Sequence, residues 1–205
     1  MRGQHIMVVD RVVKLACIAL TLSLGSQVAN AASPAGMGRS LNLPPASSFI
    51  RTSGATLAPF AFVRFCRSNQ TDCEADRGAS IVDMTAENRR KLQSVNASVN
   101  RSIKPVNDAP SQGDVWAADV ASGDCEDFAL TKRRHLIAQG WPARSLRIAV
   151  ARTRSGEGHA VLVVKTSDGD LVLDNRFSAI RTWDKTDLTW EKIQSEENPR
   201  LWFAI

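Results

Sequence analysis

Residues 146–175 read LRIAVARTRSGEGHAVLVVKTSDGDLVLDN. Leu146, Ile148 and Val150 alternate with polar or small residues, the period-two pattern of a strand. Gly156-Glu157-Gly158 reads as a turn, His159 to Thr166 as a second strand and Leu171 to Asn175 as a third, with Asp168-Gly169 as the hairpin signal between them. The chain ahead of this stretch has a different period. Leu92, Val95, Val99 and Ile103 repeat at helical spacing over residues 84–103, behind a cap at Asp83 or Thr85. Gly123-Asp124-Cys125-Glu126-Asp127-Phe128-Ala129-Leu130 opens another helix. Asp124 suits its N-cap, Asp127 stands three residues on as in a capping box, and Gly140 with Pro142 stops it. Helices followed by an antiparallel sheet predict an α+β fold.

The first 31 residues carry the marks of a secretory signal. Arg2, Arg11 and Lys14 precede an apolar run from Leu15 to Leu24, and Ala29-Asn30-Ala31 fits an A-x-A cleavage site. The apolar run is shorter than the roughly 20 residues a membrane span needs. Residues 32–58, rich in Ser, Pro, Gly, Ala and Asn, read as a flexible lead-in. This leaves residues 59–205 as one domain of ordinary size. Removing the signal takes away three basic residues and one acidic one, so the formal charge of +5 becomes +3. The charges are interleaved, and no nucleic-acid-binding motif accompanies them, so no nucleic-acid partner is expected. Pro59 to Cys66 (PFAFVRFC) reads as a strand or an extended packing segment. Trp183, Trp190 and Trp202 read as covers for the sheet or core.

Export to an oxidising compartment permits disulfides. Of the three cysteines beyond the signal, Cys66 and Cys73 enclose a short polar loop and make the natural pair, which leaves Cys125 odd. A cysteine at a helix N-terminus faces unpaired N–H groups and the positive end of the dipole, and both favour thiolate. Asp124, Glu126 and Asp127 push the other way, so a functional Cys125 needs a histidine nearby, and a cation could assist it. His159 leads an apolar strand, where an imidazole is costly without a partner, and Asp174 ends the next strand. His135 falls mid-helix beside Arg133 and Arg134 and reads as solvated. Cys125 as nucleophile, His159 as base and Asp174 as the acid that orients it form a set for acyl transfer. No Cys-x-x-Cys is present, which argues against redox chemistry.

Gly123 to Ala129, Lys132, Gly140-Trp141-Pro142, Gly156 to Leu162 and Leu173-Asp174-Asn175 resemble the bacterial transglutaminase-like cysteine proteinases. That family includes periplasmic proteases that release large biofilm adhesins from the cell surface. The resemblance runs from about Pro59 to the C-terminus and is sharpest from Trp116 to Asn175. It implies a papain-like, transglutaminase-type core, with a helix carrying Cys125 packed on an antiparallel sheet carrying His159 and Asp174. It further implies a Ca²⁺ ion at Asp124 and Glu126, which would neutralise the carboxylates beside the thiol. The alternative for Asp124 is helix capping alone, and for Glu126 simple solvation. The resemblance also implies a protein substrate, a surface adhesin in the closest analogy, and an inner-membrane receptor that sequesters the protease. A monomer is expected. The rival functions are an acyltransferase of the same chemistry and a binding module that kept the fold without turnover.

The strand register raises a geometric demand. A two-residue turn at Asp168-Gly169 would pair Ser167 with Asp170 and place Val163 opposite Asp174. His159 would then stand four residues from Asp174 along the same face, about 13 Å away. Contact between the two therefore predicts a wider loop or a bulge that sets His159 opposite Asp174.

Overall fold

In the computed structural model, residues 48–76, 78–109, 111 and 113–205 are described. They fall within the second of two compact units, Leu41–Ile205. The expected signal segment and residues 32–47 lie outside the described residues.

The chain first lays down strand β1 (Ala55–Thr56) and helices α1 (Phe60–Ser68) and α2 (Ala86–Ser102). Two short strands, β2 (Lys104–Pro105) and β3 (Ser122–Gly123), lead into helix α3 (Cys125–Ala138). Six more strands follow: β4 (Leu146–Arg152), β5 (Gly158–Thr166), β6 (Gly169–Leu173), β7 (Arg181–Thr182), β8 (Thr189–Gln194) and β9 (Trp202–Ala204). The main sheet has seven strands in the order β1-β9-β8-β4-β5-β6-β7, and every named pairing in it is antiparallel. α3 packs on β5, and α2 packs on α3. This is the expected α+β arrangement of helices on an antiparallel sheet.

Both faces of the sheet are covered, which explains the nearly unbroken apolar run of β5. Leu162 and Val164 join Phe62, Leu92, Val99, Phe128, Leu136, Ile148 and Trp202 in the main core. Val161 and Val163 point the other way, into a smaller cluster with Ala149, Ala151, Val172 and Ile193. Trp183 and Trp190 meet edge-on at 6.4 Å over this second cluster, while Trp202 is buried in the first. The tail tryptophans thus cover the two faces as expected.

Three segments differ from their expectation. Residues 48–58 are tied down: Ile50 is buried, its N–H donates to Asp170 Oδ2 at 2.8 Å, and β1 pairs with β9. Residues 60–68 form a helix instead of an extended segment. Ala61, Phe62, Phe65 and Cys66 face inward at helical spacing while Phe60, Val63, Arg64 and Arg67 are exposed, so the segment is an amphipathic helix whose outer face carries apolar residues beside its arginines. Cys66 and Cys73 are joined by a disulfide, and both are buried.

The third difference is the β5–β6 turn, which is tight and sits one residue earlier than the dipeptide signal suggests. Thr166 pairs with Gly169 across Ser167 and Asp168, and Leu162 pairs with Leu173. Ser167 is held there because its N–H donates to Val82 O at 2.9 Å and its Oγ accepts from Met84 N at 2.9 Å. Gly169 has φ +106°, a conformation that favours glycine, and a Cβ there would come within 2.5 Å of Ser48 O. The register moves by two residues with neither a wide loop nor a bulge in this hairpin. The sheet's irregularity lies elsewhere, between β4 and β8 at Val150/Ala151.

Candidate active site

α3 opens at Cys125 with Asp124 as its N-cap residue. Asp127 reaches back, accepting from Asp124 N at 3.3 Å, and its other oxygen accepts from Ala117 N at 2.7 Å. Gly123 is required here, since a Cβ would meet Asp127 Oδ2 at 2.0 Å. The β2–β3 pairing and a bond from Val106 N to Gly123 O at 2.9 Å draw residues 105–109 alongside the helix start.

The half-buried Cys125 points its sulfur at two groups. Sγ accepts from Ala160 N at 3.2 Å, and the thiol donates to Glu126 Oε2 at 3.1 Å. Burial pushes the thiol pKa well up, Glu126 adds to the rise, and the Ala160 N–H opposes it. His159, the second residue of β5, is buried, and its Nε2 lies 2.9 Å from Asp174 Oδ1. That bond leaves Nδ1 as the ring nitrogen available to a thiol. Continuing the hairpin register would set Val161 opposite Asp174, so His159 reaches its partner along the diagonal, as long side chains can.

Asp174 is held by more than the imidazole. Arg176 N donates to Asp174 Oδ1 at 2.9 Å, and the guanidinium donates to Oδ2 at 3.1 and 2.8 Å. Burial opposes ionisation of Asp174, but the bonds from His159 and Arg176 outweigh it and hold the carboxyl well below the usual range. Arg176 was not foreseen from the sequence; a basic residue two positions past Asp174 was the available signal.

Cys125, His159, Asn175 and Arg176 line one cleft of about 630 Å³, which also takes in Trp116 and Glu157. Trp116 both lines it and packs against Phe62 at 5.6 Å. His135 stands apart on α3, half exposed, 3.4 Å from Asp119.

The carboxylates beside the thiol form a cluster. Oxygens of Asp108, Asp124 and Glu126 all lie within 4.8 Å of one another. Asp124 Oδ1 and Glu126 Oε1 are buried without a hydrogen-bond partner. Burial, with the neighbouring carboxyl groups of Asp114 and Asp124, pushes the Glu126 pKa well up. Oxygen ligands of this kind and charge suit a hard divalent cation, and the orphaned buried oxygens fit one. Asp108 joins Asp124 and Glu126 through the β2–β3 pairing, which sequence spacing did not reveal.

Comparison with curated proteins returns no significant match. Among solved structures, the calcium-bound form of Legionella pneumophila LapG is 31% identical with a TM-score of 0.50, over 57% of this chain and 68% of that one. The EGTA-treated form of the same protein is 32% identical with a TM-score of 0.49, over 57% and 67% of the two chains. A family model described as bacterial transglutaminase-like cysteine proteinase matches residues 52–205, and the chain belongs to that family of cysteine proteinases.

Proposed function

We propose that the protein hydrolyses peptide bonds of an exported protein substrate, a surface adhesin, through Cys125, His159 and Asp174. The observation that carries this reading is the 2.9 Å His159–Asp174 bond, with His159 preceding the residue whose N–H reaches the Cys125 sulfur. His159 takes the thiol proton on Nδ1, and the sulfur bonds to the substrate carbonyl carbon. The C–N bond then breaks and the imidazolium gives its proton to the leaving amine. Water, deprotonated by His159, releases the acyl group and restores the thiol. The Cys125 N–H at the helix start is a donor for the oxyanion.

Asp108, Asp124 and Glu126 would hold a calcium ion. A bound Ca²⁺ supplies positive charge next to the thiol, where the carboxylates otherwise oppose thiolate formation. The calcium-bound LapG relative supports this assignment. The Cys66–Cys73 disulfide supports a periplasmic location reached through the signal-like segment 1–31. The adhesin, a sequestering inner-membrane receptor and a monomeric state rest on the family resemblance.

The test is the rate of iodoacetamide alkylation of Cys125 against pH, in calcium and in chelator, for wild type and His159→Ala. The expected result is an apparent thiol pKa well below the ordinary 8.5 in calcium, rising when His159 is lost. A Cys125 that behaves as a free thiol in all conditions would instead mark a binding module on a peptidase fold.

A further inference from the structure

Among the described residues lining the cleft, Arg176 is a cation that the proposed chemistry leaves without a role. Its guanidinium bridges two carboxylates. On one side it donates to both oxygens of Asp174, at 3.3 and 3.1 Å from Nε and 2.8 Å from Nη2. On the other it donates to Asp187 at 2.8 and 3.2 Å. Its plane also lies over the Phe177 ring, 5.0 Å from the centroid. The result is a hydrogen-bonded chain: His159, Asp174, Arg176, Asp187.

We propose that Arg176 is a positioning residue for the cysteine-proteinase reaction, fixing the Asp174 carboxylate toward His159 and sharing its negative charge. The inference rests on the assignment of His159 and Asp174 given above. The imidazole has two duties, to take the thiol proton and to surrender it to the leaving amine. A buried carboxylate with no cation bonded to it besides the imidazolium would hold the proton too firmly for the second duty. A carboxylate shared with a guanidinium orients the ring at a lower proton affinity. Asp187 sets how much of the guanidinium Asp174 receives. The charged groups around Asp174 are His159 from β5, Arg176 and Asp187, and Lys132, buried on α3 and acting on Asp174 through its charge.

The test follows the ring titration of His159 by NMR in the full chain carrying Cys125→Ser, which removes the thiol from the titration. The resonance is assigned by loss in His159→Gln. Arg176→Gln is expected to raise the midpoint by about one pH unit, and Arg176→Lys to move it by less than half as much. Asp187→Asn, which leaves the guanidinium to Asp174 alone, is expected to move it the opposite way. This variant keeps the test decisive if Arg176→Gln does not fold. Midpoints within about 0.3 units of the parent in the folded variants, with only a lower melting temperature, would show a structural role and overturn the proposal. The alkylation test above separates the two failures: if His159→Ala leaves Cys125 reactivity unchanged, the catalytic assignment fails regardless of Arg176.

Discussion

His159 Nε2 stands 2.9 Å from Asp174 Oδ1, although the hairpin register, continued one pair past Leu162–Leu173, would set Val161 opposite Asp174. The two side chains meet along a diagonal, so the contact depends on both strands holding their positions. Asp174→Asn keeps the shape but removes the charge, and it leaves a guanidinium facing an amide. We expect alkylation of Cys125 near neutral pH, and peptide hydrolysis, to fall by about 10²–10⁴-fold. Wild-type rates in Asp174→Asn would remove Asp174 from the mechanism.

The metal assignment adds Asp108 to Asp124 and Glu126. Millimolar calcium is expected to raise the melting temperature of the wild type, because the ion binds only the folded cluster. Asp108→Asn should weaken binding roughly tenfold or more, read by calorimetry, and shrink that rise. Equal melting temperatures in calcium and in chelator would refute the site.

Gly123 leaves no room for a side chain beside Asp127. Gly123→Ala must displace Asp127, the group that ties Asp124 N and Ala117 N at the helix start. A loss of about 1–3 kcal/mol is expected in denaturant titration, together with slower alkylation of Cys125, because the thiol sits on the first residue of that helix.

Lys132 is fully buried on α3, and its ammonium has no hydrogen-bond partner among the described residues. Burial lowers it from 10.5 to about 7, with Asp174 opposing. Because the folded pKa is depressed, the unfolded chain binds more protons between those two values. Stability should therefore rise with pH across that window. Lys132→Met should remove this rise and stabilise the protein near pH 7 by on the order of 1–3 kcal/mol, read by denaturant midpoints at pH 6, 8 and 10. A wild-type stability that is flat from pH 7 to 10 would contradict it.

Much of this could be read from residue patterns because the signals were local. Thr85 caps α2 through a bond from Asn88 N at 3.1 Å, and Asp124 sits at the N-cap of α3, both as their residue types imply. The α+β order followed from periods that change along the chain. What escaped was set by distant contacts. α1 was hidden because Phe60 and Val63, on its outer face beside Arg64 and Arg67, are as apolar as the residues it buries. Residues 48–58 looked like a loose lead, yet Ile50 N–H is bound by Asp170, 120 positions away. Asp108 comes to the carboxylate cluster through a strand pairing that spacing does not describe. Arg176, two positions past Asp174, joins the site through a clamp that its nearness in sequence only hints at.

The turn at Ser167-Asp168 has a further reach. Gly169, backed against Ser48, is the hairpin's alignment pin, and the meeting of His159 with Asp174 is its output at the far end. A methyl group added at Gly169 would touch nothing in the cleft. The strain would fall on Ser48 and on the turn that sets the hairpin's register, and a genetic screen would score its loss as lost chemistry. Inactivating alleles are therefore expected at the outer end of this hairpin as well as around the thiol.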